Sequence, residues 1–149
     1  SGEDKIISKI KNQTSKIKDK DLLEGLENLY DFDIIKGGLG FVGIRGDTHP
    51  RGEHVKAAEK TWSSAKKAVE SKKYDLIVLD ELNIALDLKL LKLSPVYSFL
   101  KKNKARVNIM VTGRYAPKKL IELGDIVSEV KDVKHPFEKG VGARKGIEY

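Results

Sequence analysis

The chain has 149 residues, 40% of them hydrophobic, and this length is enough for a single domain with a buried core. It contains no cysteine and no apolar run of membrane-spanning length, which excludes disulfides and thiolate chemistry and favours a cytoplasmic protein without a membrane partner. A formal net charge of +7 is compatible with anionic partners such as nucleotides, polyphosphate or nucleic acid, and it does not choose among them.

The N-terminal part of the chain predicts helices. Isoleucines recur close to one helical face, which predicts an amphipathic helix from about Asp4 to about Lys16. Asp19 or Asp21 can cap a second helix, because leucines follow at helical spacing. Residues 32–35 then predict a short strand.

A glycine-rich stretch at residues 37–47 precedes the clearest helix of the chain. Five glycines fall within ten residues, so the stretch is either a flexible loop or a loop whose backbone approaches a ligand closely. Phe41 is the aromatic residue within this glycine-rich stretch. From residue 53 to about residue 71, apolar side chains recur every three or four residues, which predicts a helix with Trp62 in the core.

Residues 76–80 predict a central strand that ends in two acids. Four apolar residues in a row before Asp80 are typical of a strand buried on both faces in a parallel sheet. Asp80 and Glu81 then lie at the carboxyl end of that strand, where open α/β sheets bind ligands. Adjacent carboxylates there suit hydrated Mg²⁺, as in the Walker B arrangement, although a strand that ends in a solvated acidic turn is an alternative.

The rest of the chain continues the alternation of helices and strands. The predicted elements are a short helix at 82–91, a helix with Ser94 as N-cap and Pro95 in its first turn to about 102, a strand at 107–111, a helix at 117–124, a strand at 126–130 and an irregular, glycine-rich tail. This order predicts the α/β class, with a mainly parallel sheet flanked by helices. We expect the residues after three strands to converge: 37–47, 80–81 and 112–114.

Residues 89–106 carry six basic side chains and no acidic one. Such a charge run is usually a solvated face, and this is the interpretation we favour. A nucleic-acid patch is the alternative, but the stretch has only one tyrosine and one phenylalanine, and Phe99 is better placed as the inward residue of its helix.

An ordered set of motifs resembles the P-loop type of ATP:corrinoid adenosyltransferase. The motifs are Ser1-Gly2-Glu3, Gly40-Phe41, Val78-Leu79-Asp80-Glu81-Leu82-Asn83, Thr112-Gly113-Arg114, the segments 120–125 and 133–137, Gly140-Val141 and Gly146-Ile147-Glu148-Tyr149. The similarity runs over nearly the whole chain and is weakest at residues 5–38. It implies a single domain over 1–149 with a RecA-like P-loop nucleotide-binding fold. It also implies an enzyme that transfers the 5′-deoxyadenosyl group of MgATP to the Co(I) of a reduced corrinoid, releasing triphosphate, in adenosylcobalamin biosynthesis or salvage.

The resemblance also implies roles for individual residues. Glu81 would coordinate Mg²⁺ on the triphosphate with support from Asp80, and Arg114 would lie near the phosphates. Phe41 would lie against the lower face of the corrin and help to hold the cobalt without its lower axial ligand. The ligand-binding set is completed by Gly40, Asn83, Thr112 and Gly113. The family further implies a homodimer, a flavoprotein as reductant, and no nucleic-acid partner.

Two departures from the family pattern bear on these expectations. Gly43 stands where many relatives have a tryptophan. No glycine is followed by lysine, so the Walker A strand, loop and helix are missing, and we expect a truncated polypeptide whose fold is incomplete at its N-terminus. Two alternatives therefore stay open. One is a non-catalytic corrinoid- or nucleotide-binding pseudoenzyme, and the other is a basic nucleic-acid-binding domain that shares the α/β frame.

Overall fold

Helices and strands alternate along residues 33–40, 42–43 and 47–142, the part of the chain that the computed structural model describes. The elements are α1 (Arg51–Ser71), β1 (Leu76–Leu79), α2 (Leu82–Asp87), α3 (Leu93–Asn103), β2 (Asn108–Val111), α4 (Lys118–Leu123) and a 3₁₀ helix (Pro136–Lys139). None of these helices is long and apolar enough to cross a bilayer. The two helices predicted before residue 32 lie outside the described residues.

The chain divides into two compact units. One unit, Ile35–Ser128, contains α1 to α4 and both strands. The other consists of Ser1–Ile34 and Glu129–Tyr149, in which the 3₁₀ helix is closed by a hydrogen bond from the amide of Val141 to the carbonyl of Pro136 at 3.2 Å.

Helix α1 is the longest described helix, and it packs through the stripe that its sequence predicts. It begins after Pro50 and ends where Lys72 adopts a left-handed conformation with φ 59°. The prediction of a helix at 53–71 is therefore confirmed. Trp62 packs against the core and contacts the ring of Phe99 edge to face, with 5.3 Å between the ring centroids.

Strands β1 and β2 pair in parallel, with Leu76 opposite Asn108 and Leu79 opposite Val111. The predicted parallel pairing is confirmed. The prediction that β1 is buried on both faces is wrong, because Leu76 and Val78 are about half exposed, whereas Ile77 is buried. In β2, Met110 is likewise about half exposed. Within the described residues the helices cover one face of this two-stranded sheet, so alternate side chains of each strand face solvent.

The core lies between the covered face of the sheet and helices α2 and α3. Its buried members are Leu82, Leu86, Val96 and Leu100, and partly buried residues from both strands, α1 and α4 pack around them. Helix α2 ends at Asp87, earlier than the predicted residue 91, and Lys89 adopts φ 55° just beyond it. Helix α3 begins after Lys92, so Ser94 and Pro95 lie inside the first turn and Ser94 is not the N-cap.

Helix α4 has the predicted boundaries, with Pro117 before it and Gly124 after it. The ammonium group of Lys104 donates to the carbonyl of Leu123 at 3.1 Å and to the carboxylate of Asp125 at 2.5 Å, which ties the end of α4 to the end of α3.

Two predicted strands are not formed. Residues 33–35, the described part of the first, are irregular, and so are residues 126–130. Ile126 and Val130 are 90% and 94% exposed. No described segment pairs with either stretch, and a β-branched run without a neighbouring strand cannot form a ladder.

Candidate functional site

The carboxyl ends of β1 and β2 bring two of the predicted motifs together. The hydroxyl of Thr112, after β2, donates to Oδ1 of Asp80 at 2.5 Å and accepts a hydrogen bond from the amide of Glu81 at 3.0 Å. Because the strands are parallel and in register, their ends meet at the same edge of the sheet. Thr112 therefore holds both acidic residues in place through one side-chain oxygen.

Glu81 has a strained backbone at this edge. Its φ of 57° and ψ of 21° are left-handed, a conformation that costs a non-glycine residue about 1–2 kcal/mol. The surrounding hydrogen bonds hold it there, and its side chain is exposed. Backbone strain that is maintained by its surroundings is concentrated at functional sites in proteins.

Gly113 makes the close approach of the two strand ends possible. Its φ is +112°, and a Cβ at this position would lie 3.2 Å from Cβ of Asn83 and 3.2 Å from Oε2 of Glu81. A larger residue would therefore push against Glu81 and Asn83 and would also strain its own backbone.

Asn83 is buried, with 6% of its surface exposed, at the start of α2. Its backbone N–H donates to the backbone carbonyl of Thr112 at 3.2 Å, and its side-chain Nδ2 donates to the backbone carbonyl of Gly113 at 3.4 Å. Its Oδ1 is buried and has no hydrogen-bond partner within the part of the chain that the structure describes. An unpaired buried acceptor costs about 1–3 kcal/mol, so Asn83 Oδ1 is suited to accept from a ligand hydroxyl or a bound water.

The donor set at this edge fits a hydrated magnesium ion that carries phosphate. Asp80 and Glu81 supply two exposed carboxylates, and the described residues contain no group of three or more histidine, cysteine or acidic side chains that could hold a metal. Mg²⁺ is usually bound by one or two carboxylates, with water and substrate phosphates in its other positions. The arrangement fits this mode, whereas a structural metal would need more protein ligands.

The remaining predicted site residues are placed differently. Arg114 follows Gly113 directly, and its side chain is exposed. Gly40 lies in an exposed turn with φ +97° and open space around its Cα. Residues 37–40, 42–43 and 47, the described part of the glycine-rich segment, show contacts within the segment, with neighbouring residues and with α1. For these residues, the expected convergence with the strand ends is not observed. Phe41 lies outside the described residues.

The structure shows a second polar cluster that we did not predict. Oδ1 of Asp47 accepts from Nε2 of His54 at 2.9 Å, and His54, in the first turns of α1, is only 3% exposed. Backbone hydrogen bonds from Gly43 and His49, together with His54, hold the pKa of the Asp47 carboxyl well below its usual range. A sequence signal existed, because His54 lies four residues before Ala58 on the apolar stripe, where a polar residue needs a partner.

The chain is similar to corrinoid adenosyltransferases over most of its length. The family model described as ATP:corrinoid adenosyltransferase BtuR/CobO/CobP matches residues 4–149. A corrinoid adenosyltransferase of Sinorhizobium sp is 37% identical over 108 residues, which are 72% of this chain and 50% of that protein. The corrinoid adenosyltransferase of Escherichia coli (strain K12) is 34% identical over 125 residues, 84% of this chain and 64% of that protein.

A protein named corrinoid adenosyltransferase CobA, from Salmonella typhimurium (strain LT2), is 33% identical over 125 residues, which are 84% of this chain and 64% of that protein. The chain thus spans between half and two thirds of the length of these relatives. Since the family model matches nearly every residue, this chain belongs to the ATP:corrinoid adenosyltransferase family.

Proposed function

We propose that the protein transfers the 5′-deoxyadenosyl group of MgATP to the Co(I) of a reduced corrinoid and releases triphosphate. The observation that carries this proposal is the Thr112 hydroxyl, which links Asp80 and Glu81 at the carboxyl edge of a parallel strand pair. In a chain of this family, such an edge is the expected place for a metal–triphosphate group.

Asp80 and Glu81 would hold Mg²⁺ at this edge. The ion would supply positive charge that stabilises the triphosphate as it leaves the ribose. Thr112 fixes the orientation of the Asp80 carboxylate, and the left-handed backbone of Glu81 turns its carboxylate to solvent at the same edge. Asn83 Oδ1 would accept a hydrogen bond from a nucleotide hydroxyl or a water, because it is buried at the same edge and has no partner among the described residues.

The substrates supply the bond-making chemistry. The electron pair of Co(I) forms the new cobalt–carbon bond at C5′ of the ribose, while the bond from C5′ to the triphosphate oxygen breaks. The chain needs to align the two reactants and stabilise the leaving charge, and both are tasks of positioned residues. We assign Arg114 to the phosphates, and Gly40 and Phe41 to the corrin.

Membership of the adenosyltransferase family also supports proposals about the fold, the oligomeric state, the reductant and the location. We propose a RecA-like P-loop fold, which the parallel pairing of β1 and β2 supports. A homodimer, a flavoprotein reductant and a cytoplasmic location follow from the family resemblance and from the absence of cysteine, and they are part of the same proposal.

The direct test is an assay of the full-length protein with MgATP and chemically reduced corrinoid. We expect the Co(I) absorbance to be replaced by that of an alkyl-cobalt corrinoid, with one triphosphate detected by phosphorus NMR for each product formed. Omitting Mg²⁺ is the control. Corrinoid binding without a new cobalt–carbon bond would support the pseudoenzyme instead, and neither binding nor product would contradict the assignment.

A further inference from the structure

The glycine-rich segment 37–47 contacts α1 near both of its ends. At its start, Gly37 packs directly on Thr61 of α1, so closely that a Cβ at Gly37 would overlap the Thr61 side chain. That side chain is itself held, because its hydroxyl donates to the carbonyl of Ala57 at 2.8 Å. The close approach therefore requires glycine at position 37.

At the other end, the carboxylate of Asp47 accepts three hydrogen bonds. Its Oδ2 accepts from the amide of Gly43 at 2.6 Å, and its Oδ1 accepts from the amide of His49 at 2.9 Å and from Nε2 of His54 at 2.9 Å. The two backbone bonds close a turn, and the imidazole attaches that turn to α1. An ionised carboxylate can only accept, so the His54 nitrogen that faces it carries the proton.

A second histidine–acid pair lies beside the first. Nδ1 of His49 lies 2.8 Å from Oε2 of Glu53, but these side chains are 39% and 53% exposed. The side chains of His54 and Asp47 are 2% and 14% exposed. An exposed pair contributes little, whereas a buried imidazole that loses its acceptor is left without a partner. Both pairs join a histidine to a carboxylate, but loss of the buried pair should affect the structure more than loss of the exposed pair.

We propose that Asp47 and His54 are positioning residues that fix the turn formed by Gly43 and Asp47 on α1, and that this attachment strengthens binding of the corrinoid by the glycine-rich segment. Residues 38–42 lie in the chain between the two points of attachment, and Gly38 and Gly40 have open space around them. The part of this inference that concerns the corrinoid rests on the proposed function. The part that concerns the segment's conformation does not.

The test uses the full-length protein and four variants. Asp47→Ala and His54→Leu remove the hydrogen bond from either side. His54→Gln restores an N–H donor in place of Nε2, and Glu53→Gln removes the exposed pair as the matched control. Limited digestion with trypsin, followed by mass spectrometry, measures cleavage after Arg45 in the free protein. Steady-state kinetics measures the KM values for corrinoid and ATP separately.

We expect Asp47→Ala and His54→Leu to speed cleavage after Arg45 by about tenfold or more, as for the loss of a hydrogen bond to a charged group. The same variants should raise the KM for corrinoid by about tenfold and leave the KM for ATP unchanged. His54→Gln and Glu53→Gln should resemble the wild type in both measurements.

Unchanged cleavage in Asp47→Ala and His54→Leu would overturn the proposal. Faster cleavage with equal changes in both KM values would overturn the part of the proposal that concerns the corrinoid, because a general loss of structure affects the binding of both substrates. The digestion needs no substrate, so it decides the positioning role even if the protein forms no cobalt–carbon bond. If His54→Leu does not fold, the partly exposed Asp47 still provides the decisive variant.

Discussion

Thr112 is the residue that joins the two strand ends in the proposed site. It contacts Asp80 through its side chain, receives the amide of Glu81, and offers its carbonyl to Asn83. Each of these contacts joins residues about 30 positions apart in the chain, so each depends on the parallel pairing of the strands. The site is therefore a product of the sheet and not of any one motif.

Glu81→Gln should remove most adenosyl transfer without unfolding the protein. The side chain is exposed, so loss of its charge should change the free energy of unfolding by no more than about 0.5 kcal/mol. Loss of a metal ligand at the triphosphate should lower kcat by about a hundredfold or more. Thermal unfolding checks the predicted stability and turnover checks the predicted loss of kcat, both measured on the same preparation. Turnover close to that of the wild type would remove Glu81 from the site.

Gly113→Ala should damage both stability and activity. The backbone conformation at φ +112° and the contact with Asn83 both oppose a side chain, so we expect a loss of about 1–3 kcal/mol in the free energy of unfolding. Gly140→Ala is the control, because Gly140 also has positive φ, at +74°, but has open space around it. Equal shifts in Tm for the two variants would mean that the close approach contributes nothing beyond backbone strain.

Phe41→Ala should slow adenosylation more when the corrinoid is supplied as Co(II) than when it is reduced to Co(I) beforehand. An aromatic ring that occupies the face of the corrin vacated by the axial base makes reduction easier, and this benefit disappears when reduction has already occurred. Since Gly43 stands where a second aromatic residue is frequent, Phe41 should carry more of this task. Equal losses in the two assays would assign Phe41 to substrate positioning alone.

Sequence reasoning found the acidic pair and the Thr112-Gly113 turn because both directly follow apolar runs that predict strands. It could not show that Thr112 bridges the acids, or that Asn83 Oδ1 has no partner in the described part of the chain, because both observations depend on how the strand ends meet. It missed the pair of Asp47 and His54 altogether. They are seven positions apart in the chain, and Asp47 lies in an irregular segment whose path no periodicity predicts.

Among the described elements, the helices were predicted better than the strands. Helix α1 has a long apolar stripe, and α4 lies between Pro117 and Gly124, so both carry their own boundary signals. A strand depends on a partner that the local sequence does not contain. For that reason residues 126–130 resemble a strand in composition and yet remain irregular and exposed.

The basic stretch around α3 should not bind nucleic acid. All six basic side chains are exposed, as predicted for a solvated face, and the Phe99 ring packs edge to face on Trp62. Tyr97 is half buried beside Lys101, with the ammonium nitrogen 6.0 Å from the ring centre. Stacking platforms for bases are therefore missing at this surface.

A titration with labelled single-stranded DNA at several salt concentrations checks this. We expect no salt-dependent affinity in the micromolar range, and no difference between the wild type and a variant with Lys101, Lys102 and Lys104 changed to Ala. Tight binding that weakens with salt and is lost in the triple variant would restore the nucleic-acid hypothesis.

For the whole molecule, the charge distribution predicts that the proposed nucleotide binding depends on a divalent cation. The chain has a net charge of +7, which would attract a triphosphate over long distances. At the strand ends, however, Asp80 and Glu81 present two adjacent negative charges. Phosphates can approach them closely only with a cation between, so cation and ATP should bind cooperatively, each raising the affinity for the other.

The most direct test of this account is a Mn²⁺ titration followed by electron paramagnetic resonance, with and without ATP, on the full-length protein. We predict that ATP tightens Mn²⁺ binding in the wild type, and that Glu81→Gln weakens it by about tenfold or more. Glu122→Gln, which changes an exposed glutamate on α4 paired with Lys118 at 3.8 Å, should match the wild type. Equal Mn²⁺ affinity in the wild type and Glu81→Gln would contradict a metal–triphosphate site at the strand ends.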